Sequence, residues 1–215
     1  MTATARGDIT GIILAGGQSR RMGGGDKGLL EVAGRPMLGH VIERLAPQIG
    51  RMAINANGDP ARFARFGLPV VPDTIDGFVG PLAGVLAGMR WAAANTPEAR
   101  WIASMSSDAP LLPLDVVARL AAAISTRADA IAIARSGGEL HPVIGLWPVA
   151  LADDLDTALR AGLRKVLAWT DRHGTVPVEF PFITAGECSI DPFFNANTPE
   201  ELAEVGALIA ALDHA

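Results

Sequence analysis

In this chain of 215 residues Lys27 follows a short apolar run across a glycine-rich loop, and Asn55, Asp73 and Asp108 each stand soon after another. The runs are Ile12-Ile13-Leu14, Met52-Ala53-Ile54, Val70-Val71 and residues 101–105. Short β-branched runs of this kind read as buried strands, and an open α/β sheet binds its ligands beyond the carboxyl ends of its strands. Four strand ends carrying polar residues define one edge where chemistry can converge. A lysine there, with loop amides, suits an anion. An aspartate suits a hard divalent cation that completes its shell with water and phosphate oxygens. Asp108, held by the turn that Pro110 follows, is the candidate metal ligand. Asn55 and Asp73 are candidates to hydrogen-bond a base or ribose. For Asn57-Gly58, turn formation is the simpler reading.

The first of these strand ends opens into the most unusual stretch, residues 11–28, GIILAGGQSRRMGGGDKG. Glycines leave backbone N–H groups unscreened and let the chain approach a ligand closely. Arg20, Arg21 and Lys27 add positive charge. The loop is not a Walker loop, because Lys27 lies between Asp26 and Gly28. Gly23, Gly25 and Gly28 fit G-x-G-x-x-G, but not between a strand and a helix as a dinucleotide site requires.

Composition narrows the classes. The net charge of −5 argues against general nucleic-acid binding. The basic cluster of Arg20, Arg21, Lys27 and Arg35 is more telling in an acidic chain than in a basic one. One cysteine, Cys188, allows no internal disulfide and suggests a reducing compartment, with a half-buried side chain as its simplest role. Residues 1–7 read as a flexible N-terminus rather than a signal peptide, and no apolar run has the length of a membrane span. A cytoplasmic protein with no membrane or nucleic-acid partner is expected. No serine sits in a G-x-S-x-G elbow, no Cys/His cluster suits a metal, and His141 before Pro142 reads as a structural histidine in a turn.

The elements that must position these residues alternate. Strands are predicted at 8–14, 52–54, 70–71, 101–105, 130–134, 143–147 and 176–180. Helices are predicted at 37–49, 60–66, 82–94, 114–124, 149–161, 163–172 and from 199 to about 212. Thr198, Pro199 and Glu201 read as N-cap, first helical residue and capping box. The alternation implies one α/β domain over 8–215, a Rossmann-like three-layer sandwich with a mostly parallel sheet. The fifth and sixth strands are too close for a helical crossover, so one antiparallel strand is expected. Arg164 and Lys165, two cations at the start of the 163–172 helix, oppose its dipole, which suggests either a phosphate partner or a solvated face. Asn195 and Asn197 alternate on an extended segment and share a face.

The pattern L-A-G-G-x-S-x-R-M-G-x-x-K resembles the signature of nucleotidyltransferases, and most of all that of the molybdenum cofactor guanylyltransferases. The resemblance extends through INAN, VPD, GPLAG at 80–84, the Asp108-Ala109-Pro110 turn, HP at 141 and NANTPEEL from Asn195. It implies a fold like that of the nucleoside-diphosphate-sugar transferases, and transfer of GMP from GTP to the phosphate of molybdopterin with release of pyrophosphate. It implies Mg2+, with Mn2+ as a substitute, on Asp108. Leu14, Ala15, Gly16, Lys27, Asn55, Asp73 and Asp108 match guanine-nucleotide positions, with Gly80 and Gly84 grouped alongside. Lys27, Asp108 and Arg21 match the catalytic set. Arg21, Gly24, Gly80, Gly84, Lys165, Asn195 and Asn197 match other functional positions. With Arg164, the residues Lys165, Asn195 and Asn197 are the expected molybdopterin side. Cofactor-synthesis proteins and apo-molybdoenzymes or their chaperones are implied partners. Two residues depart from the pattern: Ala109 where relatives carry Thr, and Lys165 where arginine is common, which loses bidentate phosphate contact. Cytidylyl transfer to molybdopterin, transfer to a sugar phosphate, and a silent nucleotide-binding regulator are the alternatives.

Overall fold

The computed structural model describes residues 6–16, 26–77, 80–127, 129–185, 188–196 and 198–213. Its strands are β1 Ile9–Leu14, β2 Glu31–Val32, β3 Arg35–Pro36, β4 Arg51–Asn55, β5 Val70–Val71, β6 Trp101–Ser106, β7 Ala132–Ser136, β8 Glu139–Pro148, β9 Val176–Glu179, β10 Ile183–Ala185 and β11 Cys188–Ile190. Its α-helices are α1 Met37–Leu45, α2 Pro81–Asn95, α3 Val116–Ala123, α4 Ala152–Arg160, α5 Val166–Thr170 and α6 Pro199–Asp213.

Seven strands form the central sheet in the order β5-β4-β1-β6-β8-β7-β9. Only β8 runs against its neighbours β6 and β7, while β9 returns parallel to β7. The single reversal follows from the short Gly137-Gly138 link, whose positive φ angles of 55° and 86° turn β7 directly into β8. Helices α1 and α3 bury Leu38, Val41, Leu45, Val116 and Leu120 on one face of the sheet. Helices α2, α4 and α5 bury Leu86, Met89, Leu155, Leu159 and Trp169 on the other. This is the three-layer α/β sandwich with one antiparallel strand that the alternation predicts. A smaller cluster, with Val32, Met37, Leu111, Val205 and Ile209, attaches α6 beside the β2–β3 hairpin.

The predicted elements are present with altered ends. The 37–49 helix leaves α-geometry after Leu45 and closes as a 3-10 turn over Ala46–Gln48, because Pro47 has no N–H to give. The 60–66 segment is 3-10 throughout, started by the Asp59 side chain on the amide of Ala61 at 2.9 Å. The sixth strand begins four residues early at Glu139, so His141 lies in a strand and not in a turn. The 163–172 helix is reduced to α5 with a 3-10 turn after it. The β10–β11 hairpin has no counterpart in the sequence reading. The capping box of α6 is present: Thr198 N–H donates to Glu201 Oε2 at 3.1 Å and Glu201 N–H to Thr198 Oγ1 at 3.2 Å. The side chain of Cys188 lies outside what is described.

Candidate active site

Strand register brings the four predicted ends into one row. Leu14 pairs with Asn55 on one side and Ser106 on the other, and Asn55 pairs with Val71. Two residues past that row stand Gly16, Asn57, Asp73 and Asp108. Pairing persists beyond the strands, with Ala15 N–H on Asn55 O at 2.9 Å, Ser107 N–H on Leu14 O at 3.1 Å and Ala56 N–H on Val71 O at 3.1 Å. The polar groups are therefore carried on backbone that the sheet itself fixes.

At the centre, Lys27 Nζ lies 3.0 Å from Asp108 Oδ2, with both side chains largely shielded from water. The other Asp108 oxygen accepts from the Ser106 hydroxyl, and Lys27 also donates to the Asn195 side-chain oxygen. Gly28 explains why this lysine lands here. A Cβ at Gly28 would stand 2.8 Å from the Ser107 side chain, so only glycine lets the chain press against the turn that carries Asp108. Lys27 is thus bracketed by the carboxylate beyond β6 and by a residue 168 positions along the chain.

To one side lies Asp73. Its Oδ1 accepts from Asn55 Nδ2 at 3.0 Å and its Oδ2 from Asn57 Nδ2 at 2.8 Å. Asn57 Oδ1 in return takes the Asp73 amide at 2.9 Å. Asn57 is thus more than a turn residue, which corrects the sequence reading, although Gly58 does turn the chain with φ 82°. Asn55 uses its Nδ2 on Val71 O as well, at 3.1 Å. Its Oδ1 sits between Gly84 and Gly16. A Cβ at Gly84 would overlap that oxygen and lie 2.8 Å from Leu14 Cδ2, whereas one at Gly16 would keep an ordinary 3.8 Å from it. Gly84 therefore has a packing reason to be glycine, and Gly16 has none among the described residues. Gly80 starts α2 with φ 81°.

Several expectations are redirected. Arg164 donates to Leu159 O at 2.8 Å and to Leu163 O at 2.7 Å, closing the carbonyl end of α4. It does not oppose a helix dipole, and it has the structural motive the sequence seemed to deny it. The backbone of Arg164 passes beside Gly80, 3.8 Å from where a Cβ would be, which brings the exposed Lys165 to the rim of the same edge. Arg35, grouped by sequence with Lys27, turns instead to Glu43 Oε2 at 2.8 Å and to His40. Arg20, Arg21, Gly24, most of the glycine loop and Asn197 lie outside the described residues.

Arg62 is the residue that sequence reasoning missed. Its guanidinium pairs with the Asp26 carboxylate and donates to Asp59 O and Asn57 O, each at 2.6 Å. It ties the residue before Lys27 to the backbone that carries Asn57. An arginine in a short 3-10 segment gives no local sign of such partners.

Among the described residues no group of three or more His, Cys, Asp or Glu stands together as a metal cage. Asp108 is a lone carboxylate with a hydroxyl beside it, and it draws the nearest cation, Lys27. That oxygen-only donor set fits a metal that keeps most of its shell for water and phosphate. No helix among the described residues is long and apolar enough to cross a membrane.

Comparison with known proteins gives the family and the fold. Residues 11–176 match the family described as MobA-like NTP transferase domain. A molybdenum cofactor guanylyltransferase of Bradyrhizobium sp. (strain ORS 278) is 51% identical over 214 residues, 99% of this chain and 99% of that protein. The solved molybdopterin-guanine dinucleotide biosynthesis protein A of Archaeoglobus fulgidus superposes with a TM-score of 0.71 at 20% identity, over 94% of this chain and 98% of that one. A Mycobacterium tuberculosis protein solved as a complex with manganese gives 0.60 at 19% identity, over 90% and 95% of the two chains.

Proposed function

The chain belongs to the MobA-like NTP transferases, among the molybdenum cofactor guanylyltransferases, and from that premise we propose that it transfers GMP from GTP to the terminal phosphate of molybdopterin, releasing pyrophosphate. The observation that carries the reading is the meeting of Lys27, Asp108 and Asn195 at the carboxyl edge of the sheet, beside the Asn55–Asn57–Asp73 network.

In this reading the triphosphate lies along the glycine loop, with Lys27 and Arg21 neutralising it. The base and ribose occupy the side bounded by Leu14, Ala15, Gly16, Asn55, Asp73, Gly80 and Gly84. Asp108 holds Mg2+, for which Mn2+ substitutes, and that ion neutralises phosphate charge when bound. Lys165, Asn195 and Asn197 serve the acceptor. The acceptor phosphate oxygen forms a bond to the α-phosphorus while the bond to pyrophosphate breaks. The residues act by placing the two phosphates in line and by stabilising charge, and no side chain has to take a proton from an already ionised phosphate. Gly16 leaves room beside the Asn55 oxygen for the wider purine, which is the local reason to expect guanine. Discrimination follows when buried polar groups are left unpaired by the wrong base.

The test is a panel of GTP, CTP and ATP with molybdopterin, following pyrophosphate. GTP is expected to be consumed in strong preference. Equal use of CTP would replace the guanylyl assignment by the cytidylyl one, and no pyrophosphate with any triphosphate would leave only a nucleotide-binding protein.

A further inference from the structure

Outside the edge described above lies a polar chain, buried at Ser136 and half-buried at His141 and Asp191. Ser136, 1% exposed at the end of β7, has its hydroxyl 2.6 Å from His141 Nε2 and 2.7 Å from Asp191 Oδ2. The one hydroxyl proton must go to Asp191, because a carboxylate can only accept. His141 Nε2 must then be the protonated nitrogen, donating to Ser136 Oγ. The direction is His141 to Ser136 to Asp191. Burial lowers the His141 pKa, with Asp191 and Glu139 pulling weakly the other way, so the neutral imidazole persists at neutral pH.

Asp191 is where this chain meets the site. Its Oδ1 accepts from Phe193 N–H at 2.8 Å, and its backbone oxygen from Phe194 N–H at 3.0 Å. These two bonds shape the turn that ends at Asn195, whose side chain receives Lys27. The rings of His141 and Phe193 lie 4.7 Å apart, and Phe193 meets Phe180 edge-on at 5.1 Å. The turn is thus held from the sheet by one polar line and one aromatic line.

We propose that His141, Ser136 and Asp191 are positioning residues for the acceptor side of the transfer. They fix the residue 191–195 turn, and through it the Asn195 carboxamide against Lys27, without touching either substrate. The role rests on the guanylyl-transfer reading for its kinetic consequence, but the placement of Asn195 can be measured apart from it.

Two replacements of His141 separate the polar line from the aromatic one. His141→Gln keeps an N–H donor in reach of Ser136 and loses the ring. His141→Phe keeps the ring against Phe193 and loses the donor. The Phe variant is expected to raise KM for molybdopterin and lower kcat, each by roughly 3- to 10-fold, the range of one lost hydrogen bond. Its dissociation constant for GTP alone should change less than about twofold, because the nucleotide side is carried on other strands. The Gln variant should recover most of the loss. In parallel, the side-chain amide signals of Asn195 in a 1H–15N spectrum should shift in the Phe variant and return towards wild type in the Gln variant. A Phe variant with wild-type kinetics and spectrum overturns the proposal, as does equal impairment of both variants, which would assign the effect to packing. If the wild type releases no pyrophosphate with GTP and molybdopterin, the functional reading fails, and the Asn195 signals alone decide the positioning role.

Discussion

Lys27 has two anions to serve, and replacing it should move two affinities in opposite directions. Its ammonium lies 3.0 Å from Asp108 Oδ2, with side-chain exposures of 14% and 12%. At that distance and an effective dielectric of about 20, the Coulomb attraction is about 5–6 kcal/mol before desolvation. Shielding both ions from water removes much of it. A charge-assisted hydrogen bond nets about 1.5–3 kcal/mol. In the nucleotide-free protein this contact occupies the carboxylate proposed above to hold a divalent ion. Lys27→Met keeps a long, flexible side chain and deletes the competing cation. Mn2+ added without nucleotide should therefore bind the variant more tightly, by roughly 10- to 150-fold if the whole net contact is recovered. GTP in the absence of metal should bind more weakly, by a comparable factor, because the same ammonium is lost to the triphosphate.

Electron paramagnetic resonance of free Mn2+ gives the first number, and calorimetry with GTP in a chelating buffer gives the second. Unchanged or weaker Mn2+ binding by Lys27→Met would refute the idea that Lys27 and metal compete for Asp108. Unchanged GTP affinity would remove Lys27 from the triphosphate. The two outcomes are independent, so one can fail while the other stands.

Glycine replacements should divide by what surrounds them. Gly84→Ala forces a Cβ into the Asn55 side chain and is expected to cost about 1–3 kcal/mol, read as a lower urea midpoint. Gly16→Ala should leave that midpoint unchanged and move nucleotide preference from GTP towards CTP in a competition assay. Lys165→Ala should raise KM for molybdopterin with KM for GTP unchanged. Arg164→Ala should in addition lower stability by about 0.3–1 kcal/mol, since its guanidinium closes the end of α4. His141 has a pKa below its ordinary 6.5 in the folded protein because it is buried. Below about pH 6.5 the unfolded chain takes up a proton that the folded one refuses, so this group lowers stability as pH falls from there to the folded pKa, and no further below it. Comparing urea midpoints of wild type and His141→Gln between pH 7.5 and 5 isolates that slope, and parallel curves would refute it.

What the sequence displayed was the edge, and what it hid was the bracing. Asn55, Asp73 and Asp108 were legible because an apolar strand that stops at a polar residue is a local pattern, and strand register then aligns the stops, whereas Lys27 was legible from the glycine-rich loop that carries it. The antiparallel β8 was legible because a two-glycine link leaves no room for a crossover. Arg62, Asn57 and Ser136 were not, since each acquires its role from a partner brought close only by folding. Arg164 was misread for a related reason. The α4 helix ends at Arg160, and the cation that looked like the start of a new helix closes the old one. The β10–β11 hairpin has strands of three residues each, too short to show a period.

The division of labour along the chain follows from where the shared domain stops. The residues matched to the MobA-like transferases end at 176, before Asp191 and Asn195. The residues that hold the nucleotide in the present reading lie within that span, among them Arg21, Lys27, Asn55, Asp73 and Asp108. On the acceptor side Lys165 lies within the span as well, but Asn195 lies beyond it and meets Lys27 directly. A transferase must hold two substrates, and only one of them, the nucleoside triphosphate, is common to enzymes that differ in acceptor. A segment after the common domain, carried by β10, β11 and α6 and tied back through Ser136, can therefore change with the acceptor while the sheet edge stays fixed. At the site itself the two parts meet at Lys27, which is why a carboxamide delivered from the far end of the chain has to be placed as firmly as the aspartate beside it.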